Sequence, residues 1–271
     1  MDLGWETKTA AAIGVLLALW LGEALVPFYT NFGGGPSDRL RHDLRNLGFG
    51  LFNAGVLMLL FLPAFVAVDS WAANHGFGLS RLVAQPCWAV TLLLFVLFDM
   101  WMYIWHRANH TIGFLWRFHR MHHSDPEMDA TTGVRFHTGE VLFSALARLV
   151  VLPLLGMTLW QLAIYEMVFL PVVLFHHSNV SFPRWLDHGL LAIIVTPAMH
   201  RVHHSRWRPE TDSNYGSVFP CWDFLAGSFR LRADARSVHL GLDGMDSPKW
   251  QSVAGMLTTP LASVARISNE P

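Results

Sequence analysis

Residues 46–68 read NLGFGLFNAGVLMLLFLPAFVAV, an unbroken stretch without one charged side chain. A helix over it would be about 34 Å long at 1.5 Å per residue, enough to cross a hydrocarbon layer of roughly 30 Å. In that layer no water is present to satisfy backbone N–H and C=O groups, so only helices and closed barrels span it. The stretch is too long for a barrel strand and therefore demands a helix. Three further regions follow the same pattern. Residues 9–29 are apolar apart from Glu23, residues 82–98 run up to Asp99, and residues 141–175 hold two shorter runs folded back at PLLGM. Pro153 and Gly156 mark that turn. Its two arms carry Arg148 and Glu166, and both full crossings and an incomplete hairpin fit their length. The two charges are expected to neutralise each other, because charges buried in membranes pair. The expected class is all-α: an integral membrane protein with three to five membrane helices.

Composition agrees, with 52% hydrophobic and 14% charged residues, against about a quarter charged in soluble domains. No linker or charge block divides the chain, which reads as one unit: membrane anchor helices over 1–85, a catalytic core over 86–230 and a tail over 231–271. The net charge of −1 offers no electrostatic footprint for a nucleic-acid partner. Cys87 and Cys221 are not paired by any motif, which argues against a disulfide framework or an iron–sulfur site. The first apolar run lacks a basic lead-in and a small-residue cleavage site, so it reads as a retained anchor.

Arginine placement sets the expected orientation. Arg39, Arg41 and Arg45 lie between the first two runs, and Arg107, Arg117, Arg120 and Arg135 follow the third, whereas only Arg81 lies between the second and third. The positive-inside rule then places a loop at 30–45, the segment 106–138 and the tail from 178 in the cytoplasm. Every histidine cluster falls on that side.

Those clusters carry the chemistry. HRMHHS opens at His119 and HRVHHS at His200, 81 positions apart, and HRANH spans 106–110. On helices, His106 and His110 lie one turn apart, while His119, His122 and His123 share a face, as do His200, His203 and His204. Asp99 and Tyr103 fall on the His106 face. Isolated histidines such as His42, His75, His188 and His239 carry no such weight. Clustered imidazoles are metal ligands first, and a metal-free network would leave many ring nitrogens unsatisfied beside an apolar region. Imidazole suits zinc, copper, iron and nickel. Eight histidines exceed one centre of about four ligands and suit two metals. A ligating imidazole commonly donates its second N–H to a carboxylate, and Asp99, Glu140, Glu166 and Asp223 are the candidates.

HRANH, HRMHHS, RFH at 135–137 with Glu140, HHSN at 176–179, HRVHHS, DSNYG at 212–216 and WDFLAGSF at 222–229 together resemble the fatty acid hydroxylase/sterol desaturase superfamily of integral membrane di-iron enzymes. The resemblance covers roughly residues 90 to 230 and is nearest to its alkylglycerol monooxygenase and bacterial sterol desaturase-like branch. It implies a histidine-rich helical cap, facing the cytoplasm, that holds two iron ions cycling between Fe2+ and Fe3+. Implied ligands are His106, His110, His119, His122, His123, His200, His203 and His204, with His177 as a ninth and His176 as its neighbour. His137 is either a tenth ligand or a group behind one. Asn179 is a candidate to hold metal-bound water, and Asp99 to support His106. NYG and WD read as structural.

The implied activity is O2-dependent hydroxylation of a lipid C–H bond in a sterol, fatty acyl chain or ether lipid. No haem-binding HPGG, cysteine cluster or nucleotide-binding glycine motif is seen, and NFGGG at 31–35 lacks the strand–helix context. A separate reductase, ferredoxin or cytochrome is the expected electron donor. The rival readings are desaturation at the same centre, a membrane metal transporter and a haem protein with paired axial histidines.

Overall fold

The computed structural model describes residues 5–30, 35–83 and 87–263. The described residues form helices joined by turns, with no strand and two isolated bridges, Pro27 to Val180 and Ser205 to Leu240. Residues 31–34 of the NFGGG motif lie outside them.

Helix α1 covers Trp5–Leu25. Its apolar part, Ala10–Leu25, is shorter than the other candidate spans, so the run expected over 9–29 ends early. Residues beyond Leu25 turn back instead: Phe28 N donates to Asn179 O and Ser181 N to Val26 O, both at 2.8 Å. Helix α2, Pro36–Val56, passes through one π-helical turn, Leu57–Phe61, into α3, Leu62–Asn74. The expected loop at 30–45 is therefore helical from Pro36 onward, because Pro36 supplies a ready first turn and Arg39, Asp43 and Glu23 form a buried ion network over it.

Helix α4, Cys87–Thr111, has 25 residues. At 1.5 Å per residue it is about 38 Å long, so it crosses the apolar layer and still carries His106 and His110 beyond it. Ile112 is extended, and the chain re-enters helix as α5, Gly113–His123. Helix α6, Thr138–Leu155, and α7, Leu159–His177, are the arms of the hairpin. Gly156 closes α6 in the left-handed conformation at φ 70°, and Thr158 with Gln161 forms a capping box that starts α7. Both arms are long and apolar enough to cross, and Arg148 Nη1 lies 3.2 Å from Glu166 Oε1 as the sequence suggested. Short helices complete the cap: α8 Arg184–Leu191, α9 Pro197–His203, α10 Arg208–Thr211, α11 Cys221–Ala226 and α12 Val253–Thr258.

Four helical segments, Pro36–Leu82, α4, α6 and α7, are long and apolar enough to span a membrane. Their outward residues stay uncovered by protein: Leu51, Leu59 and Trp88 are each more than two-thirds exposed. Side chains of that kind need a lipid environment, and the chain is a multi-pass membrane protein. Between α4 and α7 lies an apolar core of Leu94, Phe98, Leu162 and Tyr165. The polar cap sits at one end of the spans, where α4 and α7 finish and α2 and α6 begin.

A candidate metal centre

Each histidine is aimed by its own element. His106 and His110 end α4, His119, His122 and His123 end α5, His177 ends α7, and His200 and His203 lie on α9 with His204 at its C-cap. Helices α4 and α5 pack together, as do α7 and α9. The result is two groups of ring nitrogens, each with mutual separations within 4.8 Å: His106, His110, His119, His123 and His203 in one, and His122, His177, His200 and His204 in the other. The groups abut. His123 and His204, one from each hexapeptide, stack at 4.3 Å with an interplanar angle of 14°.

The hydrogen bonds fix the tautomers. His106 Nδ1 lies 2.9 Å from Tyr215 O and His203 Nδ1 2.6 Å from Ser213 O. A carbonyl only accepts, so both Nδ1 atoms carry the proton and both Nε2 atoms present lone pairs. Those two Nε2 atoms face each other at 3.0 Å. Two lone pairs at that distance repel unless a cation accepts from both. His177 repeats the pattern: Nδ1 donates to Val173 O at 2.7 Å, and Nε2 stands 3.1 Å from His122 Nε2 and 3.0 Å from His200 Nε2. His119 Nδ1 is 2.7 Å from Glu140 Oε1, leaving His119 Nε2 buried without a hydrogen bond. His110, His123 and His204 leave both ring nitrogens in that condition, which costs about 1–3 kcal/mol for each orphaned group. Burial pushes His122, His123, His200 and His204 well below the usual histidine range and His203 down to about 3. Neutral imidazoles are what a metal requires. The residues fit two cations, one per group.

Three expected site residues are placed elsewhere. His137 belongs to neither group: it caps α6, with Nδ1 accepting from Gly139 N at 2.9 Å and Nε2 against Leu257 O at 3.1 Å. Asp99 touches no histidine. It accepts from Tyr165 Oη at 2.7 Å, Trp222 Nε1 at 2.8 Å, and the amides of Phe219 and Val218 at 3.1 and 3.2 Å, because the turn after NYG folds over α4 and brings four donors to it. Asn179 spends one acceptor and one donor of its amide on the backbone of Tyr29, at 2.9 and 3.0 Å, and stands outside both histidine groups. His176 stays outside both groups, its ring centroid 4.0 Å from that of His200. Of the carboxylates considered, Glu140 meets a clustered histidine.

Sequence reasoning missed the part played by NYG. Asn214 adopts φ 56°, and its side chain bonds Met199 O and the backbone of Arg230. Asp223 accepts from the amides of Tyr215 and Gly216 at 2.8 and 2.7 Å. A Cβ on Gly216 would lie 2.8 Å from Phe219 O, so glycine alone fits. This turn presents the carbonyls of Ser213 and Tyr215 to His203 and His106. The acidic stretch after the first hexapeptide was also missed. His42 Nε2 lies 2.9 Å from Asp125 Oδ2, and buried Arg135 donates to Met121 O and Ser124 Oγ.

A cavity of about 840 Å³ joins this cap to the membrane face. His106, His119, His122, His177 and His200 line one end. Leu51, Met58, Leu62 and Leu170 line the other, and the first three are exposed on the outer face of the spans.

Residues 91–228, just over half of the chain, match the family described as fatty acid hydroxylase. The chain belongs to the fatty acid hydroxylase family. The match runs from within α4 through α11 and contains every clustered histidine. Among curated relatives of this fatty acid hydroxylase family member, the ornithine lipid hydroxylase OlsE of Rhizobium tropici is 33% identical over 150 residues, covering 55% of this chain and 44% of that protein. The alkylglycerol monooxygenase of Caenorhabditis elegans is 28% identical over 234 residues, covering 78% and 41%. A very-long-chain aldehyde decarbonylase, GL1-11, of Oryza sativa subsp. indica is 29% identical over 177 residues, covering 64% and 66%. The chain thus spans under half the length of the first two. No solved structure matches it.

Proposed function

We propose that the protein is an O2-dependent lipid hydroxylase whose two histidine groups hold one iron ion each. The observation that carries this reading is the cavity, since it brings lipid-facing side chains and clustered imidazoles into one space. Metal transport would need ligands strung along a path across the membrane, whereas both groups abut at one end of the spans. The family assignment and the names of the relatives support lipid oxidation.

Bound there, iron supplies the activation of O2 and the cleavage of the substrate C–H bond. The chain's own residues do the rest. His106, His110, His119, His123 and His203 would hold one ion, and His122, His177, His200 and His204 the other. The carbonyls of Tyr215, Ser213 and Val173 and the carboxylate of Glu140 fix which ring nitrogen faces inward. Leu51, Met58 and Leu62 admit an alkyl chain from the bilayer and exclude water around it. In this arrangement the described residues within 1–85 anchor the protein and wall the cavity, those within 86–230 carry the ligands and those within 231–271 cover the cap. The histidine end faces the cytoplasm, where a separate reductase, ferredoxin or cytochrome delivers electrons.

The test is product analysis with purified protein, iron, an electron donor and 18O2. A lipid carrying one 18O atom in a new hydroxyl supports the proposal. An olefin without 18O indicates desaturation, and no iron-dependent lipid product refutes both.

A further inference from the structure

One charged pair lines the cavity far from the histidines. Arg148 on α6 and Glu166 on α7 both form its wall, each near the middle of a helix able to span the membrane. Arg148 lies eight residues beyond Glu140, and Glu166 eleven residues before His177. At 1.5 Å per residue the pair stands about 12 to 16 Å from the histidine end. The cavity continues past it to Leu162 and Leu159. Among the described residues of the wall, these two are the charged groups remote from the clustered imidazoles.

Mutual neutralisation does not exhaust either group. Arg148 Nη1 donates to Glu166 Oε1 at 3.2 Å. Nη2 has the Met102 thioether at 3.6 Å, Cζ lies 5.7 Å from the centre of the Phe98 ring, and Nε is buried without a hydrogen bond. A guanidinium carries five N–H donors, so one carboxylate oxygen, a weak sulfur acceptor and a ring face leave much of its capacity unspent. The Glu166 side chain is 45% exposed against 17% for Arg148. A brace between two helices would be closed off on both sides, whereas this carboxylate borders open space. Ionisable groups at this depth in a membrane are costly and mark the paths of polar ligands.

The chemistry of the pair selects a neutral ligand group. A carboxylate or phosphate on the substrate would be repelled by Glu166, and an ammonium by Arg148. A hydroxyl donates to the carboxylate and accepts from the guanidinium. A plain methylene would leave both charges desolvated and unanswered. We propose that Arg148 and Glu166 form a specificity site for a hydroxyl carried on the lipid chain, about ten carbons from the carbon that meets the histidines. That spacing follows from carbon–carbon bonds of about 1.5 Å, which advance an extended chain by roughly 1.3 Å each. The inference rests on this cavity being the lipid site of the proposed hydroxylase.

The experiment measures lipid binding to purified full-length protein in detergent by native mass spectrometry, with O2 excluded. The probes are methyl octadecanoate and its derivatives with one hydroxyl at about carbon 12, level with the pair, or at about carbon 6, short of it. The carbon-12 alcohol should bind roughly tenfold more tightly than the other two, the size expected of a hydrogen bond to a charged group. Arg148→Met combined with Glu166→Met removes both charges together and should erase that preference while iron content is unchanged. A wild-type protein that binds all three alike, or binds none, would overturn the inference. So would a preference that survives in the double variant. The wild-type comparison of the three esters decides the matter even if the variant does not fold. Binding is read without turnover, so selective binding with no oxidised product would count against the hydroxylase reading and leave the specificity site standing.

Discussion

His119 Nδ1 and Glu140 Oε1 lie 2.7 Å apart, joining the first histidine hexapeptide to the first turn of α6. The bond turns His119 Nε2 toward His106, His110, His123 and His203. Glu140→Gln keeps the shape but exchanges a charged acceptor for a neutral one. Removing partners of this kind lowers metal affinity by roughly 10–100-fold. Iron retained against a chelator should fall by that order, and an unchanged affinity would remove Glu140 from the site.

Acid should release the metal before it unfolds the spans. Burial holds His203 at about 3 and places His122, His123, His200 and His204 well below the ordinary histidine range near 6.5. Between those limits the unfolded chain binds more protons than the folded one, so stability rises with pH across that window. The contribution is complete above about 6.5 and drains away as pH falls toward 3. Iron content and thermal midpoint should decline together below about pH 6. A flat profile from pH 7 to pH 4 would show that the rings are not held neutral.

Asp99 serves the fold of the cap. Asp99→Asn leaves four donors facing a single amide oxygen and introduces two new N–H groups among them. A loss of about 2–4 kcal/mol is expected, given the strength of hydrogen bonds to a charged acceptor. Thermal unfolding in detergent measures it. The turn at 218–222 should loosen, and with it the Tyr215 carbonyl on His106. A variant as stable as the wild type would contradict this role.

Filling the cavity should separate chemistry from binding. Ala163 on α7 lines the cavity away from the metal ligands. Ala163→Trp is expected to lower kcat/KM for a long-chain lipid by roughly tenfold, with iron content unchanged. Full activity would show that substrate does not use this route.

The membrane helices were legible because lipid leaves one solution for an uncharged run, and the hairpin because Pro153 and Gly156 mark its turn. The histidine groups were legible because i, i+3 and i+4 spacing puts rings on one face whatever the tertiary arrangement. What failed was partner assignment. Asp99 shares a helix face with His106, but the turn at 218–222 approaches from a part of the chain over a hundred residues away and takes its carboxylate. The true partners of His106, His203 and His177 are backbone carbonyls, which every residue carries and no sequence advertises. His42 gave no signal because its partners, Asp125 and Asp129, are remote in sequence and its own neighbours form no motif. Helix α1 stopped short of the expected span because its Glu23 accepts from the amides of Ala130 and Asn179, a contact that fixes the helix end on the cap.

The most direct measurement of the central claim is iron bound per chain in the wild-type protein beside His203→Ala and His204→Ala, each of which removes a ring from one group. Two iron ions are expected in the wild type, with one weakened or lost in each variant and hydroxylation abolished in both. A wild-type protein that binds no iron, or variants that keep both ions and full turnover, would contradict the account.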